Sequence, residues 1–281
     1  FKDYFIQWIP EATLTFQPIP TMLLVARADY VLGDYNEADM SLRVKFSQVL
    51  GKMTKNLGTI SITGDYVLQK PGWFYESYLG NNFIWETAWE KQGLISAGFN
   101  YSWKFIETGV QLNRITNYVY LDTGSIPNQY KGSFSHIYAY LNTNLDLWRF
   151  NITAKLAYQT IQGTTVMRVP AFMGSLAVYY SQPLFHGAAV LQPGLSFFYN
   201  TSYYADGYMP ATRSFHIQDA REIGNYLYMD VFINLKVQRA RLFVMYSHFN
   251  ASFMGKSYYM VPGYPMPDGA FKFGVSWRFH D

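Results

Sequence analysis

Apolar and polar residues alternate one for one along much of this chain. The last run shows it best: Phe271, Phe273, Val275, Trp277 and Phe279 alternate with Lys272, Gly274, Ser276, Arg278 and His280. Successive side chains of an extended strand point to opposite faces, so the run predicts a strand with one aromatic face and one polar, charged face. The same period recurs upstream. Leu24, Ala26, Ala28, Tyr30 and Leu32 oppose Arg27 and Asp29; Leu42, Val44 and Phe46 oppose Ser41, Arg43, Lys45 and Ser47; Ile60, Ile62, Tyr66 and Leu68 oppose Ser61, Thr63 and Asp65. Ile95, Ala97, Phe99, Tyr101 and Trp103 alternate with Ser96, Gly98, Asn100 and Ser102, and a turn at Lys104 leads into Ile106, Thr108, Val110 and Leu112. Two long runs follow. Ile137, Ala139, Leu141, Thr143, Leu145 and Leu147 stand against His136, Tyr138, Tyr140, Asn142, Asn144 and Asp146, then Phe150, Ile152, Ala154, Leu156 and Tyr158 against Asn151, Thr153, Lys155 and Gln159. Each has the roughly 9 to 11 residues that a tilted membrane strand needs. A short first strand is predicted over 12–17, and later strands over 172–180, 191–199, 227–236 and 242–248.

The connections alternate in length. Short turns are predicted at 18–21, 51–58, 103–104, 147–149, 181–187 and 237–239, and longer loops rich in Tyr, Gly and Pro at 70–86, 121–132, 162–170, 203–222 and 260–269. Short turns on one side and longer loops on the other are the mark of a barrel in an outer membrane, with the turns in the periplasm. The expected fold is therefore a transmembrane antiparallel up-and-down β-barrel of about 14 strands (13 to 16). About thirteen strands can be counted directly. Single-chain barrels have even numbers, so a further strand is expected from residues 1–10 or from sequence preceding Phe1, 1–281 then being one barrel domain forming the C-terminal part of a longer chain.

Composition agrees with this reading. Aromatic residues make up 19% of the chain and charged residues 15%, yet mean hydropathy is near zero. Lipid-facing and water-facing residues average out along each strand, which reconciles the two figures. No apolar run reaches the roughly 18 residues of a membrane-spanning helix, and the only other structure that satisfies its backbone in hydrocarbon is a closed barrel. The absence of cysteine removes disulfides and thiolate metal sites from consideration. A net charge of +3 without a basic run does not point to nucleic acid.

The C-terminal block from Tyr258 to Asp281, with Tyr264-Pro-Met-Pro-Asp-Gly269 and the Phe271-to-Phe279 ending, resembles the putative porin family of Bacteroidota outer membranes. The stretch Pro71-Gly-Trp-Phe-Tyr-Glu-Ser-Tyr-Leu-Gly-Asn-Asn-Phe83 and Asn117-Tyr-Val-Tyr-Leu121 are similar to that family as well. The resemblance covers about residues 65 to 281. It implies an outer-membrane barrel from a longer chain with a signal peptide, and it carries no catalytic residue.

If the polar faces line a lumen, the charged residues there are Arg27, Arg43, Lys45, Arg149, Lys155, Lys236, Arg241, Lys272 and Arg278 against Asp29, Asp65, Glu107, Asp146 and Asp230. Such an excess of base lowers the barrier for anions. Alternatively, the charges pair across strands and the interior is filled. Two functions follow: passive diffusion of small hydrophilic solutes with a mild anion preference, or a plugged accessory barrel within a larger outer-membrane complex. No enzyme is expected, since the five histidines are scattered, no G-x-S-x-G occurs, and no cofactor or metal set is visible. Trp73, Phe74, Tyr75, Trp85 and Trp89 are expected to form an interfacial girdle or a docking surface. Trp277 and Phe279 are expected to carry the assembly signal. The expected partners are membrane lipid and lipopolysaccharide, the barrel-assembly machinery and other outer-membrane subunits.

Overall fold

The structure, a computed structural model, describes residues 6–52, 55–254 and 258–278. Its strands are β1 (Glu11–Ile19), β2 (Met22–Tyr30), β3 (Met40–Lys52), β4 (Lys55–Gln69), β5 (Gln92–Trp103), β6 (Ile106–Leu121) and β7 (Pro127–Leu147). They continue with β8 (Phe150–Gln162), β9 (Phe172–Tyr180), β10 (Gln182–Leu184), β11 (Ala189–Asn200), β12 (Tyr228–Val237), β13 (Ala240–Ser247) and β14 (Ala270–Trp277). All belong to one sheet in chain order, every register given for it is antiparallel, and β10 lies off the path beside β11. The chain divides into two compact units: 1–139 with 159–169 and 204–221, and 140–158 with 170–203 and 222–281.

The strand count meets the expected number, but among the described residues of 1–10 none contributes the fourteenth segment. Of these, 6–10 are irregular apart from a bridge between Trp8 and Leu32, and 1–5 lie outside the described residues. It comes instead from Gln182–Leu184, which the sequence pattern placed in a turn. Tyr179 faces Gly194 and Gln182 faces Leu191, so β10 continues β9 in unbroken register along β11. Pro193 lies opposite the interruption and has no N–H to give the ladder. Among the described residues β1 pairs only with β2, and β14 only with β13, so no described pairing closes the sheet. Alternation tells each strand which face its side chains take, and says nothing about whether the end strands meet.

Three expected connections are more ordered than predicted. At 51–58 the β3–β4 ladder runs on to Lys52 opposite Lys55, past an irregularity between Val49 and Gly51 where Gly51 takes a positive φ. At 121–132 the loop shrinks to a turn, in which Asp122 Oδ1 accepts from the N–H groups of Gly124 and Ile126. β6 and β7 therefore reach 16 and 21 residues, well beyond a membrane span of about 9 to 11. The loop at 70–86 holds a helical turn, Trp73–Glu76, and a small hairpin, Ser77–Leu79 with Ile84–Glu86.

Burial across the sheet is inverted relative to a water-soluble protein. Ser61 is 7% exposed beside Ile62 at 53%, Ser96 5% beside Ile95 at 55%, and Gln159 7% beside Tyr158 at 54%. A soluble sheet buries its apolar face against a second layer. Here the apolar rows face out, and much of the buried apolar side-chain set, including Trp85, Val119, Leu121, Phe134, Ile217 and Tyr258, lies in the loops and strand extensions instead.

Candidate functional site

In the first unit the registers assemble the polar face row by row. Thr13, Arg27, Arg43, Asp65, Ser96 and Asn113 stand directly opposite one another across β1 to β6. The adjacent apolar rows align equally: Phe16, Leu24, Phe46, Ile62, Phe99 and Val110 form one of them. Every expected charge here with a given register takes the polar face, with Lys45 opposite Thr63 and Glu107 opposite Ser102. Arg27 forms an ion pair with Glu11, and Asp29 accepts from the Ser41 hydroxyl.

Polar side chains on this face are joined laterally. The Ser96 hydroxyl donates to Asn113 Oδ1 at 2.6 Å, the Asn113 amide reaches His136 Nδ1 at 3.2 Å, and His136 Nε2 reaches Gln159 Oε1 at 3.2 Å. Because the amide donates to Nδ1, Nε2 carries the proton that Gln159 accepts. Four residues from β5, β6, β7 and β8 thus satisfy one another, which explains how Ser96 and Gln159 are buried at little cost. Ser133 accepts from Arg114 at 3.0 Å and is not engaged with His136.

In the second unit Lys155, Asp230, Lys236, Arg241 and Lys272 lie on the polar face. Arg149, in the turn before β8, donates to Tyr180 Oη at 3.1 Å and to Gln182 Oε1 at 2.5 Å, while Asp146 is exposed near the end of β7. Arg278 follows β14 and bonds the Arg239 carbonyl through its backbone N–H at 3.2 Å. Of the fourteen expected lumen charges, Arg27 is the one in an ion pair among the described residues. Cross-strand pairing of these charges with one another is therefore not the rule. The face also carries Phe232, Phe243 and Met245, and the Phe243 ring covers Gly274, where a Cβ would come within 2.4 Å of it. A recess of about 730 Å³ is lined by these groups with Gln192, Ser196 and Asn234, and shares Lys236, Arg241 and Ser276 with a smaller one of about 220 Å³.

His248, which the sequence showed as one scattered histidine, is fully buried at a left-handed backbone position after β13. Its Nδ1 donates to the Pro267 carbonyl at 2.6 Å, so Nε2 accepts from the Tyr226 hydroxyl at 2.7 Å. The ring stacks on Tyr228 at 4.6 Å, and Asn250 Nδ2 bonds Tyr226 Oη and the Leu227 carbonyl. The network ties the loop after β13 to the start of β12. Its signal in the sequence is the row Tyr226, Tyr228 and Asp230, which alternates with Leu227, Met229 and Val231.

The aromatic loop of the first unit packs on itself. Tyr78 stacks on buried Trp85 at 4.7 Å, and Phe74 meets Trp85 edge-on at 5.3 Å. Trp85 and Trp89 donate their indole N–H to the carbonyls of Phe74 and Tyr75, both at 2.7 Å. Glu76 is buried and held by Lys70 at 3.3 Å. Burial, then a hydrogen bond to Glu76 and its charge, hold the Tyr35 phenol well above its usual range. Trp73 remains exposed, as do Leu79 (80%) and Ile84 (72%), opposite each other on the small hairpin. Trp277 is exposed on the apolar face opposite Ala240; Phe279 lies outside the described residues.

The chain matches the family described as Putative porin over residues 7–281. Its fold is similar to the ferric enterobactin receptor PfeA in complex with BCV-L6, at TM-score 0.64 and 11% identity over 96% of this chain and 45% of that one. It is also similar to the siderophore receptor PirA from Acinetobacter baumannii, at TM-score 0.61 and 8% identity over 96% and 46%. The chain thus spans about half the length of these receptors. No curated protein matches it.

Proposed function

The chain belongs to the putative porin family, and from that premise we propose that it is a wall of an outer-membrane barrel through which small hydrophilic solutes diffuse passively. The observation that carries this reading is the inverted burial: serines and glutamine shielded on one face, isoleucines and tyrosine exposed on the other. An apolar face of that extent is stable only against lipid. Nine bases against five acids, with one of the fourteen in an ion pair among the described residues, favour anions over cations. The reading assigns no chemistry to the chain. Planar bilayers holding the purified protein in a KCl gradient test it: stepwise currents with a reversal potential of anion-selective sign are expected, and silence at every voltage contradicts it.

A second reading, an accessory barrel subunit, draws support from the Leu79 and Ile84 pair exposed at the tip of an otherwise packed loop. Co-purification of a stoichiometric outer-membrane partner that is lost with Leu79→Ser/Ile84→Ser would favour it.

A further inference from the structure

We propose that the turn end of the β12–β13–β14 polar face is a binding site for an organic phosphate, a phosphate monoester carrying an apolar or aromatic body. Lys236 and Arg241 stand directly opposite each other, and Arg241 in turn faces Ser276. Like charges in directly opposed positions are destabilising, and an anion lying between them offsets that repulsion. Gln238, Arg239 and Arg278 complete the lining of the smaller recess, of about 220 Å³, and no carboxylate is among its lining residues within the described part of the chain. The guanidinium groups of Arg241 and Arg278, an ammonium, a hydroxyl and an amide are a donor set suited to a dianion with three terminal oxygens. Lys236, Arg241 and Arg278 are in no ion pair among the described residues.

The body of the ligand follows from the rows that come next. Two residues along the strands, about 7 Å away, Gln192, Asn234 and Phe243 share the face; after another step come Phe232, Met245 and Lys272. Of these, Gln192, Asn234, Phe243, Phe232 and Met245 line the larger recess, which shares Lys236, Arg241 and Ser276 with the basic one. A phosphate at Arg241 thus places an attached ring over Phe243, with Asn234 and Gln192 beside it. Inorganic phosphate fills only the first part.

Binding does not require that solutes cross the membrane, so this inference and the diffusion reading fail separately. The purified chain in phosphatidylcholine nanodiscs, at low salt and without phosphate buffer, is titrated calorimetrically with phenyl phosphate, inorganic phosphate and phenol. Phenyl phosphate is expected to bind about tenfold more tightly than inorganic phosphate, and phenol not at all. Lys236→Gln/Arg241→Gln weakens both phosphates by about tenfold or more, and Phe243→Leu brings phenyl phosphate to the level of inorganic phosphate. Arg43→Gln, on the other unit, changes neither and shows that the effect is local. Equal affinity of the double variant and the native chain, or no binding of either phosphate, overturns the proposal. A lipid phosphate is the other source of the same chemistry. Unchanged phenyl phosphate affinity in nanodiscs containing phosphatidylglycerol supports a soluble ligand, and its abolition there overturns that assignment in favour of a headgroup.

Discussion

Ile62 lies at the middle of the fifteen-residue strand β4, half-exposed on the apolar face between Phe46 and Phe99. Its replacement by lysine separates a lipid-facing sheet from a water-facing one. In water, exchanging an exposed surface residue changes stability by no more than about 0.5 kcal/mol. At the bilayer midplane a lysine on the lipid face costs about 2–4 kcal/mol. At about 1.4 kcal/mol per decade, that is a factor of roughly 30 to 1,000 in the folding equilibrium. Thr63 is the internal control, one residue along and on the polar face. Its replacement by lysine meets Lys45 directly opposite, a like-charge contact bounded at about 1 kcal/mol. Folding into phosphatidylcholine vesicles, followed by guanidinium titration with tryptophan fluorescence, measures both. An Ile62→Lys cost no larger than that of Thr63→Lys would refute the lipid-facing assignment, whatever the conductance.

Further outcomes follow from the same geometry. Tyr226→Phe keeps the ring but removes the hydroxyl that donates to His248 Nε2 and accepts from Asn250; a loss of about 1–3 kcal/mol is expected in the same titration, and a neutral result would mean the network is replaced by water. Arg168 binds the Thr165 and Gln218 carbonyls and Asp219 at 2.8–2.9 Å, so Arg168→Ala should speed tryptic cleavage at Arg213 and Arg221, read by mass spectrometry; an unchanged rate would show that the 204–221 loop is held by other contacts. Phe279→Ala is expected to lower the yield of membrane-inserted protein, measured by fractionation, and normal insertion would contradict its role as terminal assembly residue.

The parts legible in the sequence were those governed by period two. The alternation at Phe271 to Trp277, Leu42 to Ser47 and Ile60 to Asp65 assigned faces that the registers reproduce, because a strand offers each residue only two directions. Turns centred on Lys104, Trp148 and Gln238 fell where expected, each with its first residue at positive φ. The loops were not legible. Composition reports that Trp85 and Trp89 are aromatic, not what their N–H groups reach; their bonds go to the Phe74 and Tyr75 carbonyls, eleven and fourteen residues back, closed by a hairpin that no alternation announces. The overlong β6 and β7 were hidden for a related reason, since beyond the membrane both faces meet polar surroundings and the apolar–polar contrast fades.

The sequence by itself determined that this is a two-faced antiparallel sheet, which side chains take which face, and the excess of base over acid on the polar one. Only the tertiary structure decided which charges become neighbours. Lys236 and Arg241 are separated by four residues around one turn and meet one pair beyond it, whereas Ser96, Asn113, His136 and Gln159 come from four strands and join through register alone. Alternation has a period of two and is blind to any register shift by an even number of residues, so faces are written locally while rows are set by turns, bulges and packed loops.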